Sequence, residues 1–159
     1  MRLCDILSPD RVLWVEPEED KWALLRRLVE CLTASQPAFP VDAEAILECV
    51  QARERELSTG LEAGLAVPHG LLAQDLPTLA ALALAPQGLD FEALDGQPTQ
   101  IVVLLVASDG PEGRRRHLLL LSRLSRLFAD ARLRERLLAS ADADELLSQL
   151  GSAELDNNY

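Results

Sequence analysis

The sequence predicts a layered α/β domain, and three observations carry that expectation. Three short apolar segments, Leu65–Val67, Thr78–Ala85 and Ile101–Ala107, are each bounded by Gly, Pro or Asp and have the length of buried strands. Stretches with helical periodicity stand both before and after them, which is how helices come to cover a sheet. At 159 residues the chain is the size of one domain with one core. The expected organisation is a single domain over residues 1–150, with a frayed tail over 151–159.

In chain order, an opening segment contains Pro9 and Pro17, and Glu19–Ser35 then places Trp22, Leu25, Val29 and Leu32 at three- and four-residue steps. This spacing predicts a helix with one buried stripe. Pro37 and Pro40 punctuate the chain, Asp42 is a capping residue, and Ala45, Ile46, Cys49 and Val50 mark a second amphipathic helix running toward Glu56. Two helices are thus expected before the first strand. Of the three strand candidates, Thr78–Ala85 is rich enough in Ala and Leu to be helical by composition. Gly88 to Pro98, with Asp95-Gly96, reads as a turn-rich connection, and Gly110, Pro111 and Gly113 as a second loop. A helix is expected from Arg114, with Leu120, Leu121, Leu124, Leu127 and Phe128 on one side, followed by helical pieces at Ala131–Ala139 and Ala143–Leu150.

The composition excludes several classes. A hydrophobic fraction of 48% with 26% charged residues belongs to a folded domain, and the longest strictly apolar run, Ile101–Ala107, falls far short of the ~18 residues of a membrane span. A cytoplasmic protein without membrane insertion is expected. Cys4, Cys31 and Cys49 are odd in number and lack C-x-x-C spacing, so they read as reduced, packed thiols. With 15 Lys and Arg against 26 Asp and Glu, the formal charge of −11 disfavours nucleic acid and favours steering of a basic protein partner. Walker A, G-x-G-x-x-G, H-E-x-x-H and G-x-S-x-G patterns are absent, so nucleotide, zincin and hydrolase chemistries lack their parts.

His69 and His117 are the two histidines, and so the two candidates for a neutral imidazole nucleophile. His69 stands in Gly64-Leu65-Ala66-Val67-Pro68-His69-Gly70, where Pro68 stiffens the approach and Gly70 lets the chain turn away. That context places His69 just past a buried strand. Upstream, Arg53 and the segment Ser58-Thr59-Gly60 offer a guanidinium, two hydroxyls and turn amides, which suit phosphate oxygens. His117 falls in the first turn of the helix expected from Arg114, where free N–H groups favour an anion and a neutral ring. Taken singly, a loop histidine, a helix-ending turn, a solvated arginine and a packed helical histidine remain open for these positions.

Arg53-Glu54, Ser58-Thr59-Gly60, the Gly64–Gly70 segment and His117-Leu118 at the head of a Leu-rich helix together resemble the fructose/mannitol/nitrogen type of phosphotransferase-system enzyme IIA. Phe91 and Leu94-Asp95-Gly96-Gln97-Pro98 before a strand extend the likeness, which runs from the first helix to Leu150. The resemblance implies an α/β sandwich around a mixed sheet flanked by helices, phosphorylated on His69. His117 and Arg53 would line that site, Ser58 or Thr59 would add hydrogen bonds to the phosphoryl group, and no metal or nucleotide cofactor would be held. It further implies a histidine-containing phosphocarrier protein as donor, with an enzyme IIB domain or a regulatory target protein as the next partner. The chain carries no attached IIB or transport segment, which favours the nitrogen-regulatory branch over sugar uptake. A protein-binding regulator that keeps the fold with little phosphotransfer is the alternative of a different class. Glu62 stands where the family has small residues, and it either faces the phosphate, opposing its charge, or faces solvent.

Overall fold

Residues 1–156 are described in a computed structural model. Two 3-10 turns, Leu3–Asp5 and Pro9–Arg11, lead into β1 (Val12–Trp14), which is followed by α1 (Lys21–Ala34) and α2 (Ala43–Glu56). Then come β2 (Leu65–Ala66), β3 (His69–Leu72), β4 (Leu79–Leu89), β5 (Thr99–Ser108), α3 (Pro111–Ala129), α4 (Ala131–Leu138) and α5 (Ala143–Asp156). Helix starts are set by short acidic side chains: Asp20, Asp42 and Asp130 accept backbone N–H groups of the first turns of α1, α2 and α4.

The sheet is mixed. β4 and β5 pair antiparallel from Leu79 opposite Val106 to Leu84 opposite Ile101, while β1 lies parallel to the outer side of β4. On the other side of β5, β2 and β3 pair with it in parallel and in one unbroken register, Leu65 opposite Ile101 and His69 opposite Leu105. They are two halves of one edge strand interrupted at Val67-Pro68. Proline cannot donate to a ladder, yet its carbonyl still accepts from Leu105 N at 3.0 Å, which carries the register across the break.

Alternation along β5 defines two apolar layers. Ile101, Val103 and Leu105 join Leu82 and Leu84 beneath α3, α4 and α5, whereas Val102, Leu104 and Val106 join Ala81 and Ala83 beneath α1 and α2. Every residue from Ile101 to Ala107 is fully buried, so the strand reads as a continuous apolar run because both its faces are covered. The expected α/β class with a mixed sheet flanked by helices is observed, and the Ala- and Leu-rich stretch beginning at Thr78 is a strand.

Four expectations are corrected. A strand, β1, precedes the helices; Val12-Leu13-Trp14 is too short to signal by periodicity and exists through its pairing with Leu82, Ala83 and Leu84. His69 opens a strand of its own and is not a loop residue, and Gly70 lies within that strand. A Cβ on Gly70 would sit 3.0 Å from Val50 Cγ2 and 3.3 Å from Cys49 Sγ, so this glycine admits the close approach of α2. Helix α3 begins at Pro111, whose fixed φ suits a first helical position, so Gly113 is helical. Residues 151–156 are not frayed: α5 runs through Gly151 because Ala153 is buried and the Glu154 carboxylate accepts Leu3 N at 2.6 Å and Cys4 N at 3.1 Å. Asn157, Asn158 and Tyr159 lie outside the described residues.

Among the described residues no helix is long and apolar enough to cross a membrane. Cys4, Cys31 and Cys49 are free and half-buried, and burial pushes the Cys4 thiol up to about 12.

Gly113 ties the start of α3 to the end of β5, since any Cβ there would collide with the carbonyl oxygen of Ser108. Gly113→Ala is expected to cost about 1–3 kcal/mol, the range for forcing extra volume into a packed contact, and to displace the α3 turn that precedes His117. Denaturant unfolding checks the first effect; a midpoint equal to wild type would show that the start of α3 shifts freely.

Candidate functional site

The segment before His69 folds back on itself. Gly60 bridges Ala66 in antiparallel fashion, Val67 N donates to Thr59 O at 3.0 Å, and Leu61 N donates to Leu65 O at 2.7 Å. Ser58-Thr59 therefore lies beside Val67-Pro68-His69, and the turn at the other end contains Ala63 and Gly64, both with positive φ. At the end of this hairpin, Nδ1 of His69 stands 3.0 Å from Val67 O. A carbonyl only accepts, so Nδ1 carries the ring proton and Nε2 is left with its lone pair.

His117, on α3, brings its ring to within 4.5 Å of the His69 ring, centroid to centroid, with the planes tilted by 48°. It is almost wholly buried, and its Nε2 has no hydrogen-bond partner among the described residues. The helix begins at Pro111, so His117 sits in the second turn and not the first. The free N–H groups of the helix end, whose influence fades within one turn, do not account for its state. Burial does: removal from water drives the His117 pKa down to about 4, with the neighbouring His69 and then Arg53 adding to the fall. His69 is likewise held below its ordinary value, chiefly by burial, with Arg53 pushing the same way against the Val67 carbonyl and Glu54. Both rings are neutral near pH 7.

Arg53 is partly buried near the end of α2 and donates to Leu57 O at 2.9 Å, leaving a cation whose charge reaches both imidazoles. Ser58 Oγ donates to Phe91 O at 2.6 Å and accepts from Gly60 N at 3.1 Å. Thr59 is buried, and its Oγ1 donates to Glu54. The structure thus brings His69, His117 and Arg53 together and directs the hydroxyls of Ser58 and Thr59 into the scaffold. Arg114 is engaged with Asp109 and Arg116 with Glu112.

Two residues at this site were not among the sequence candidates. Glu54, buried on α2, pairs with the buried Lys21 of α1 at 3.1 Å, and Lys21 also lies 3.2 Å from Glu92 and over the rings of Trp22 and Phe91. The Arg53-Glu54 dipeptide pointed to the helix end, but nothing in the sequence distinguishes Lys21 from a solvated lysine.

Glu62 does not border the imidazoles. It is exposed at the tip of the hairpin, beyond Leu65, and Leu65 to His69 alone spans four residues of strand, about 13 Å. There it edges a cleft of about 320 Å3 with Leu61, Leu65, Leu94 and Phe128. Among the described residues no group of three or more His, Cys, Asp or Glu is gathered for a metal.

Residues 5–152 match the family model described as phosphoenolpyruvate-dependent sugar phosphotransferase system, EIIA 2. The chain is 30% identical over 150 residues to a nitrogen regulatory protein of Bradyrhizobium diazoefficiens, covering 94% of this chain and 95% of that one. It is 35% identical over 106 residues to the fructose-specific EIIABC component of Bacillus subtilis, covering 67% of this chain but spanning only 16% of that much longer protein. In structure it is similar to the nitrogen regulatory protein IIA-Ntr of Neisseria meningitidis, with a TM-score of 0.80 and 28% identity over 92% of this chain and 97% of that one. The mixed sheet, the paired histidines and a family match across nearly the whole length lead to one assignment: the chain belongs to the EIIA 2 family of the phosphoenolpyruvate-dependent sugar phosphotransferase system.

Proposed function

We propose that this chain is a phosphocarrier that accepts a phosphoryl group on Nε2 of His69 from a histidine-containing phosphocarrier protein. The observation that carries this reading is the half-buried His69 ring 4.5 Å from the buried His117 ring, with the Nδ1 of His69 against Val67 O. The Nε2 lone pair attacks phosphorus, the donor's P–N bond breaks, and the bonding electrons leave on the donor's ring nitrogen. His69 keeps its Nδ1 proton, so the phosphorylated ring is cationic, and the Val67 carbonyl stabilises that charge. His117, as its Nε2–H tautomer, and the Arg53 guanidinium balance the charge on the transferring oxygens; positioning and charge stabilisation do the catalytic work. Ser58 and Thr59 contribute mainly by holding the hairpin. No metal or nucleotide enters the step.

A protein donor fits the surroundings better than a small molecule. Leu57, beside Arg53, and Leu118 and Leu119, directly after His117, are all more than half exposed, and apolar side chains of that kind suit a protein interface. The phosphoryl group then serves as a regulatory signal in the cytoplasm, a branch supported by the nitrogen regulatory relative that aligns over 95% of its own length. The fructose-specific relative supports the second reading, delivery to an enzyme IIB domain in sugar uptake. Incubation with the phosphorylated carrier protein, followed by assay for an acid-labile, base-stable phosphate, tests the proposal. Absence of label would leave a protein-binding regulator with the enzyme IIA fold.

His69→Ala is expected to remove phosphoryl acceptance while retaining the fold, checked by labelling and circular dichroism; normal labelling would place the acceptor elsewhere. His117→Ala is expected to accept roughly 100-fold more slowly, the scale for losing one charge-stabilising donor. An unchanged rate in single-turnover transfer would reduce His117 to a packing residue.

The depressed His117 pKa also makes a stability prediction. The unfolded chain protonates this ring near 6.5, whereas the folded protein does so only near 4. Its contribution is therefore full above pH 6.5 and is eroded as pH falls from 6.5 to about 4, at up to about 1.4 kcal/mol per pH unit. His117→Gln is expected to flatten the stability profile within that window, and parallel wild-type and variant profiles would contradict the neutral buried state.

A further inference from the structure

The side chain of Glu54 has no exposure, and among the described residues its hydrogen bonds lead to Lys21 and to Thr59. Oε1 takes Lys21 Nζ at 3.1 Å and Thr59 N at 3.1 Å; Oε2 takes the same amide at 3.2 Å and the Thr59 hydroxyl. Thr59 then presents its carbonyl to Val67 N at 3.0 Å, and the Val67 carbonyl takes the Nδ1 proton of His69 at 3.0 Å. The same strap is fastened from its other side, where Ser58 Oγ donates to Phe91 O at 2.6 Å and Leu94 N donates to Gly60 O at 3.1 Å. One carboxylate is thus joined to the imidazole through two peptide segments and an unbroken run of hydrogen bonds.

We propose that Glu54 is a positioning residue for His69: through Thr59 and Val67 it fixes the peptide that holds the Nδ1 proton, and so keeps Nε2 unprotonated and aimed outward. Two features favour this over simple neutralisation of Lys21. An ion pair needs only the charge, and Lys21 also has Glu92 at 3.2 Å; the three contacts to Thr59 would then have no purpose. Burying a carboxylate is costly unless its hydrogen bonds are well made, and here most of them go to the strap. The catalytic consequence rests on the phosphocarrier reading, while the effect on the ring does not.

The test uses the full chain in two forms. Lys21→Met/Glu54→Gln removes both charges together, so no bare ion is buried, and Thr59→Val removes the hydroxyl while leaving the ion pair in place. Nitrogen-15 shifts of the His69 ring at neutral pH report the tautomer, and single-turnover transfer from the phosphorylated carrier protein reports the rate. Wild type is expected to be almost wholly Nδ1–H. Both variants should move toward a mixed tautomer population, and the double variant should slow transfer by roughly 10- to 100-fold, the scale for disturbing the support of a reacting group. Thr59→Ser should restore both readouts. If the double variant does not fold, Thr59→Val decides alone. A wild-type tautomer in the folded variants overturns the proposal, whether or not the rate changes. If tautomers shift as expected but wild type itself accepts no phosphate, the positioning role stands and the phosphocarrier reading falls.

Discussion

Burial of β5 on both faces is the constraint from which the rest of the molecule follows. A strand with no exposed side chains must be covered by helices above and below, and its backbone groups must be paired on both edges. β4 satisfies one edge in antiparallel fashion. The other edge is completed by β2 and β3, and their shared register places His69 opposite Leu105. Along this edge Pro68 faces β5 through its carbonyl, whereas Val67 points its polar groups away from β5, its N–H to Thr59 O and its carbonyl to the His69 ring.

Partial burial then sets the chemistry. An imidazole in water is half protonated near 6.5, and a protonated ring has no lone pair to offer. Removing His69 and His117 from water, beside each other and beside Arg53, holds both neutral. His117 is buried with no partner for Nε2 among the described residues, which costs local stability. Under the proposed function, that unpartnered nitrogen is the donor offered to an incoming phosphoryl oxygen.

The buried Lys21–Glu54 pair shows the same relation between packing and site geometry. It joins α1, α2 and the connection after β4, where Glu92 and Phe91 approach the lysine, to the hairpin that carries His69. Elements far apart in the chain are thereby made to agree on the position of one short strap.

The sequence by itself determined the layered class and the positions of α1 and α2, and through the family resemblance it named His69, His117 and Arg53 as candidates, because those signals are local: helical periodicity, apolar runs and short motifs around Arg53, Pro68 and His117. It could not determine what depends on contact between distant segments. β1 is three residues long and owes its existence to β4. The last turns of α5 are held by the backbone of residues 3 and 4, and Lys21 is buried only because α2 brings Glu54 to it. Glu62 is seven residues before His69 in the chain, yet the antiparallel fold of the hairpin carries it to the opposite end. Tertiary structure likewise decides which groups the Ser58 and Thr59 hydroxyls meet. Their hydroxyls, free to serve an anion when read from the chain, are taken by Phe91 and Glu54 once those groups are packed against them.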